Sequence, residues 1–226
     1  MISQRPRFDA VCFDCDSTLT SIEGIDELAE RAGGKAEIAV LTEAAMNGKI
    51  PLEEVYAKRL DIVHPDLTAL AWLAERYADE IVSGAAETIA TLRRHGKTVY
   101  VITGGLLPAV AEFARSLGFS PEQVHAVKVY LDGAGTYQGF DTSSPLCRSN
   151  GKATICRKLA VKHGNVAMVG DGLTDLAARA GGAYVVGYGG VAHREVMLQE
   201  ADCYIASPSL TATLPALLTE EERGRS

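Results

Sequence analysis

Two acids and two hydroxyls stand together in Phe13-Asp14-Cys15-Asp16-Ser17-Thr18-Leu19-Thr20, directly after the apolar run Ala10-Val11-Cys12-Phe13. Asp is a poor strand residue and is costly to bury unpaired, so packing alone does not explain why a buried strand should end this way. The pattern makes sense if the strand aims both carboxylates at a site beyond its C-terminal end, where open α/β sheets bind their ligands. A carboxylate in that position can attack a phosphoryl group and form an acyl-phosphate, provided that something offsets the repulsion between the anions. At ~4 Å and an effective dielectric of ~20, each pair of like charges costs about 4 kcal/mol. One lysine is too little against a phosphate dianion, whereas Mg²⁺ bridging carboxylate and phosphate is enough, because hard divalent cations prefer oxygen ligands. Asp16 is then available to protonate the leaving alkoxide and later to deprotonate water. The plainer alternative is an Asx-type turn at Asp16-Ser17-Thr18.

Three further strand ends carry polar groups. Thr103-Gly104-Gly105 follows Val99-Tyr100-Val101-Ile102 and is expected to open a helix, offering a hydroxyl and backbone N–H groups as an oxyanion cradle, or simply a capped βα turn. Lys152 follows Asn150-Gly151 at an expected helix start. A cation is unfavourable there unless an anion binds or water solvates it. Val166–Val169 runs into Gly170-Asp171-Gly172-Leu173-Thr174-Asp175. The glycines permit a tight turn, Asp171 is aimed off the strand, and Asp175 can orient Asp171 or a metal-bound water, or stabilise the helix start. Each piece has a plain explanation. Together they supply a nucleophile, a metal site and an anion cradle.

The elements that must position these groups follow from periodicity. A first strand over 8–14 is followed by four helices at 23–32, 35–48, 51–63 and 66–78, with no strand among them. After a helix from Gly84 to His95, strands at 97–102, 124–130, 165–169, 183–187 and 202–205 alternate with helices near 107–117, 152–163, 173–180, 191–199 and 209–218, and a hairpin turns at Asp132-Gly133 toward 136–140. The charged segment from Glu220 is expected to fray. The expected fold is α/β: a doubly wound, mostly parallel, Rossmann-like sheet whose core spans 1–20 and 82–226, with 21–81 inserted as a helical cap over Asp14.

Helix 51–63 carries an apolar stripe, Leu52, Val55, Tyr56, Leu60 and Val63, and Arg59 falls on it. A buried arginine needs an anion: a protein carboxylate, or a substrate carboxylate in a two-pronged bond. Lys58 lies off the stripe and suits an ion pair with Glu54. Glu23 either closes a capping box with Thr20 or faces the site and binds an ammonium; with Arg59 it would read a zwitterion.

Length, composition and charge agree. The 226 residues are 47% hydrophobic and 23% charged, with a net charge of −7 and scattered Lys and Arg, which argues against general nucleic-acid binding. No apolar stretch reaches ~18 residues and 1–7 has no apolar leader, so the expectation is no membrane association and a cytoplasmic location. Five cysteines are an odd number, and Cys12-x-x-Cys15 begins within a strand rather than at a helix start, which favours core packing of Cys12 over redox chemistry.

Asp14-x-Asp16-x-Thr18, Thr103, Lys152 and Gly170-Asp171-Gly172-x-x-Asp175 resemble, in order, the four motifs of the haloacid dehalogenase superfamily. The resemblance implies that Asp14 is the nucleophile and Asp16 the acid/base, with Mg²⁺ held by the Asp14 carboxylate, the Asp16 carbonyl and Asp171. Over 8–205 the chain is similar to the phosphoserine phosphatases. This implies a small phosphorylated amino acid as substrate, with its ammonium on Glu23, its carboxylate on Arg59, Met46 and Leu52 lining the pocket, and Thr103, Gly104, Lys152 and Thr174 around the phosphate. Thr103 stands where those enzymes usually have Ser, and Leu173 is bulkier than usual in its loop. A related phosphatase or phosphotransferase acting on another small phosphorylated metabolite, such as a homoserine phosphate, is the nearest alternative. A non-catalytic phosphoreceiver is disfavoured by Asp16 and by the helical insertion.

Overall fold

The computed structural model describes residues 6–46 and 49–224. The side chain of Met46 lies outside the described residues. The chain begins with β1 (Ala10–Phe13), all four residues of which are buried. Four helices follow: α1 (Gly24–Ala32), α2 (Lys35–Met46), α3 (Leu52–Val63) and α4 (Leu67–Asp79). Then come α5 (Ala85–Arg94), β2 (Thr98–Leu106), α6 (Leu107–Ser116) and β3 (Val124–Val127), and a hairpin of β4 (Val129–Leu131) and β5 (Tyr137–Phe140). The last part holds α7 (Gly151–His163), β6 (Val166–Gly170), α8 (Leu173–Leu176), β7 (Ala183–Tyr188), α9 (Glu195–Glu200), β8 (Cys203–Ile205), α10 (Leu214–Leu217) and α11 (Glu220–Arg223).

Six strands form one parallel sheet in the order β3-β2-β1-β6-β7-β8. β1 is central, with Ala10 to Phe13 paired to Thr98–Val101 on one side and Val166–Val169 on the other, so its residues are buried on both faces and read as a continuous apolar run. The chain winds outward from β1 through β2 to β3, then returns to β6 and winds the other way. The reversal falls between β1 and β6, which puts Asp14 and Asp171 on either side of the switch point where α/β sheets bind ligands.

The helices α1–α4 leave and re-enter the sheet at one place: Thr20 and Ile81 form an isolated antiparallel bridge, and the Val82 N–H donates to the Leu19 carbonyl at 2.9 Å. Local signals set their ends. Gly33 closes α1 in the left-handed region (φ 80°), His64 does the same for α3 before Pro65 (φ 42°), and the Asp66 side chain accepts from Ala69 N at 2.7 Å to start α4. The face of α3 that packs inward is Val55, Tyr56, Arg59, Leu60 and Val63.

Several expectations are corrected. β2 runs on to Leu106, so Thr103-Gly104-Gly105 lie in its irregular C-terminal stretch rather than at a helix start; the register with β3 shifts between Ile102 and Leu106. The strand expected over 124–130 is two strands in different sheets. No ion pair forms between Lys58 and Glu54 among the described residues. The Thr20–Glu23 capping box does not form: Glu23 stands at the N-cap of α1 with no side-chain cap bond, and Thr20 Oγ1 donates instead to the Ile22 carbonyl at 3.3 Å. The charged tail is ordered as α11. Glu222 within it is buried against Lys97, accepts from Arg7 Nε at 2.7 Å and from Thr219 N at 2.9 Å, and Lys97 Nζ also donates to the Phe8 carbonyl at 2.7 Å. All five cysteines are free, and no helix among the described residues is long and apolar enough to cross a membrane.

Candidate active site

The site is assembled at the C-terminal ends of β1, β2 and β6. Asp14 is buried, with both carboxylate oxygens engaged: Oδ1 accepts the Cys15 N–H at 2.7 Å and Oδ2 lies 2.6 Å from Lys152 Nζ. Lys152, near the start of α7, is itself buried and is held on its other side by Asp175 at 2.7 Å. Burial alone would lower the Lys152 pKa, but Asp14 and Asp175 outweigh it and raise it, so the ammonium stays charged. Asp175 is fully buried, and its second oxygen accepts the Gly172 N–H at 3.0 Å. A Cβ at Gly170 would lie 2.0 Å from Asp175 Cγ, which is why glycine closes β6. Asp175 thus braces Lys152 and, through the Gly172 N–H, the start of α8; of the alternatives open for it, no hydrogen bond to Asp171 forms.

Asp171 is fully buried. One oxygen accepts from Arg194 Nε at 2.9 Å; the other, Oδ1, has no hydrogen-bond partner among the described residues. Ligand atoms of Asp14, Asp171 and Asp175 lie within 4.8 Å of one another. Burial and the neighbouring Asp14 push the Asp171 pKa up to about 6 against the pull of Arg194. This all-oxygen donor set with a bare buried oxygen fits a hard divalent cation. The Asp16 carboxylate is not part of that cluster.

Asp16 is half-buried, and its Oδ1 accepts from Gly24 N and from Tyr77 Oη, both at 2.8 Å. Burial and then Asp14 raise its pKa to about 7, although both hydrogen bonds work the other way. With Oδ1 occupied twice as an acceptor, the acidic proton belongs on Oδ2. The turn after β1 is tight: Ser17 sits in the left-handed region (φ 52°), and its hydroxyl donates to Glu23 Oε1 at 2.7 Å. Burial, followed by Asp16 and Asp171, raises the Glu23 pKa well above the ordinary carboxylate value. Thr103 Oγ1 accepts the Gly105 N–H at 3.0 Å, so that N–H is not free for a ligand, while the threonine's own O–H is free to donate. The Gly104 carbonyl accepts from Tyr56 Oη at 2.7 Å, tying α3 to β2.

Between these strand ends and the inserted helices lies a cavity partly open to solvent. Asp14, Asp16, Thr103, Gly104, Lys152 and Thr174 line it from the sheet, and Glu23, Leu52 and Arg59 from the helices. Asp171 and Asp175 lie behind the floor. Arg59 is buried, yet among the described residues no carboxylate lies within ion-pair distance and Nε has no partner: one guanidinium nitrogen donates to Thr42 Oγ1 at 3.3 Å, and the guanidinium carbon sits 5.7 Å from the Tyr56 ring centre. Its burial lowers its pKa.

Arg194 was not anticipated from sequence. It lies between β7 and α9, bonds Asp171, and faces Glu23 at 3.8 Å and Glu43 at 3.9 Å, linking sheet to inserted helices. The one available signal was its place after Gly189-Gly190, at the C-terminal end of a fourth parallel strand. Tyr56 and Tyr77 were legible only as core positions; their hydroxyls are what reach the site.

A protein-family model described as a haloacid dehalogenase-like hydrolase matches residues 8–182. The chain is 37% identical over 201 residues to the chloroplastic phosphoserine phosphatase of Arabidopsis thaliana, covering 87% of this chain and 68% of that protein. It is 32% identical over 199 residues to the phosphoserine phosphatase of Homo sapiens, covering 87% and 88%. Among solved structures, a phospho-aspartyl intermediate analogue of phosphoserine phosphatase superposes with a TM-score of 0.78 at 28% identity, over 94% of this chain and all of that one. A substrate-bound phosphoserine phosphatase complex gives 0.80 at 26% identity, with the same coverage. The chain belongs to the haloacid dehalogenase-like hydrolases, in their phosphoserine phosphatase-like branch.

Proposed function

We propose that this protein hydrolyses O-phosphoserine to serine and phosphate through an aspartyl-phosphate on Asp14, with Mg²⁺ as cofactor. The observation that carries the substrate reading is Arg59: a buried guanidinium with no carboxylate partner among the described residues, in the same cavity as Asp14. An unpaired buried charge costs several kcal/mol, and a ligand carboxylate offsets it. Glu23, whose carboxylate is destabilised by Asp16 and Asp171, gains correspondingly from an ammonium. Residues 21–81 act as a cap that selects the substrate, and the core of 1–20 and 82–226 performs the chemistry.

The Asp14 and Asp171 carboxylates and the Asp16 carbonyl would hold the metal. When bound, it neutralises the charge gathered between Asp14 and the phosphate. Lys152 and the Thr103 hydroxyl bind the phosphoryl oxygens, beside Gly104 and Thr174. An Asp14 oxygen attacks phosphorus, the bond from phosphorus to the serine oxygen breaks, and that oxygen takes the proton from Asp16 Oδ2. Serine leaves. Asp16, now a carboxylate, takes a proton from water; the hydroxide attacks phosphorus, the acyl-phosphate bond breaks, and Asp14 is regenerated with release of phosphate. A pKa near 7 suits a group that must give and take a proton in one cycle.

The test is a hydrolysis panel of phosphoserine, phosphothreonine, phosphohomoserine and p-nitrophenyl phosphate, with and without Mg²⁺. Phosphoserine is expected to have the highest kcat/KM, and only with Mg²⁺. A preference for a substrate lacking the amino-acid head would overturn the reading.

A further inference from the structure

Three cations line the cavity: Lys152, Arg59 and Arg148. Lys152 is balanced by two carboxylates, and Arg59 is the buried cation assigned above to the substrate carboxylate. Arg148 is different. It is exposed, so it stands at the mouth rather than in the interior, and its guanidinium makes no hydrogen bond, ion pair or ring contact among the described residues, although Glu53 lies near enough to feel its charge. The ion pairs of Arg7, Arg76, Arg115, Arg179 and Arg194 and the carbonyls held by Arg93 and Arg157 stand in contrast.

Its backbone, by contrast, is fixed. Arg148 N donates to the Pro145 carbonyl at 3.0 Å, closing a 3₁₀ turn. The next residue, Ser149, is clasped to the start of α3: its N–H and hydroxyl donate to Glu53 Oε2 at 2.9 and 2.7 Å, and its oxygen accepts the Leu52 N–H at 3.1 Å. A rigid stub therefore presents a cation outside any ion pair, with Glu53 as its nearby counter-charge, at the rim of a cavity lined by Asp14, Asp16 and Glu23, in a chain whose net charge is −7. An anion approaching such a site meets a repulsive field, and an exposed cation at the mouth offsets it along the path inward.

We propose that Arg148 steers the anionic phosphomonoester into the cavity, setting its rate of capture rather than its hold once bound. This rests on the reading above of a phosphomonoester substrate. The test uses ³¹P line-shape analysis of inorganic phosphate on the Mg²⁺-loaded protein, which gives association and dissociation rates without turnover, together with kcat/KM for phosphoserine. At low ionic strength Arg148→Ala is expected to slow phosphate association roughly fivefold and Arg148→Glu roughly 20-fold, with dissociation unchanged. Arg148→Lys, which keeps the charge, retains the wild-type rate and controls for folding. Above about 0.5 M salt the differences vanish, because an exposed charge is then screened within about 4 Å. Wild-type association in both Arg148→Ala and Arg148→Glu at low salt would overturn the proposal, as would a loss carried by faster dissociation that persists in high salt. If wild-type protein fails to hydrolyse phosphoserine, the substrate reading falls, while the phosphate arm still decides the role of Arg148.

Discussion

The floor and the wall of the cavity are built to opposite standards. On the floor the nucleophile and its lysine are answered: Asp14 by Cys15 N and Lys152, Asp175 by Lys152 and Gly172 N, and Lys152 by both acids at 2.6 and 2.7 Å, while the bare Asp171 Oδ1 is left for a cation. On the wall Arg59 has a hydroxyl at 3.3 Å and a ring, and Glu23 has a hydroxyl and an arginine at 3.8 Å. A group that must stay in one geometry through bond making benefits from fixed partners, since reorganisation at the moment of reaction is then avoided. A group that must recognise something benefits from lacking them. The floor is preorganised for one reaction; the wall is held short of satisfaction until a substrate arrives.

The largest expected effect breaks the floor. Asp14→Asn keeps the shape but removes the nucleophile, and kcat should fall by roughly 10⁴-fold or more. Retained turnover in a steady-state assay would show that another group attacks. Next, Arg59→Ala removes the wall's carboxylate reader. KM for phosphoserine should rise roughly 30-fold or more, as truncating one side of a buried charge pair costs about 2–5 kcal/mol. p-Nitrophenyl phosphate, which has no carboxylate, should change little; equal losses on both substrates would make Arg59 structural.

Stability sharpens the same contrast. Glu222, far from the cavity, is a saturated group of the floor's kind. Burial would raise its pKa, but Lys97, Thr219 N and Arg7 together pull it from 4.5 to about 2. A carboxyl whose pKa is depressed on folding stabilises the fold above its unfolded pKa and loses that contribution as pH falls through the folded value. Glu222→Gln should therefore cost about 2–3 kcal/mol at pH 7 by denaturant unfolding, with the difference shrinking between pH 4.5 and 2. Smallest is Arg59→Met. Replacing a buried charge that lacks a carboxylate with an apolar chain of similar length should leave the ligand-free protein unchanged or raise its stability by about 1 kcal/mol. A clear loss in the same unfolding experiment would mean that the wall is satisfied after all.

The floor was largely legible in the sequence because its members follow their strands directly: Asp14 and Asp16 after β1, Asp171 and Asp175 after β6, each with turn-forming neighbours. Sheet topology then brings these local signals together. The wall was legible only where periodicity was violated, as by Arg59 on an apolar stripe. Arg194 violates nothing; it lies in a loop, and its meaning depends on Asp171, which is 23 residues away in the chain. Tyr56 and Tyr77 obey the helical pattern, so their ring positions were foreseeable and their hydroxyl contacts were not. The Thr20–Glu23 expectation failed because Ser17, in a left-handed turn, competes for the glutamate. The tail misled for a related reason: charge density suggests solvation, while the partner that buries Glu222 is Lys97, 125 residues earlier.

Both donors to Asp16 Oδ1, Gly24 N and Tyr77 Oη, come from the inserted helices, whereas Asp16 itself belongs to the turn after β1. The proposed acid/base is thus wired to the helices above it. Were they to lift, Asp16 would lose both donors at once and either oxygen could carry the proton; with them seated, the proton is confined to the oxygen left over. Substrate admission and proton delivery would then share one moving part, and an acyl-phosphate formed beneath seated helices would meet its base correctly aligned without a separate signal.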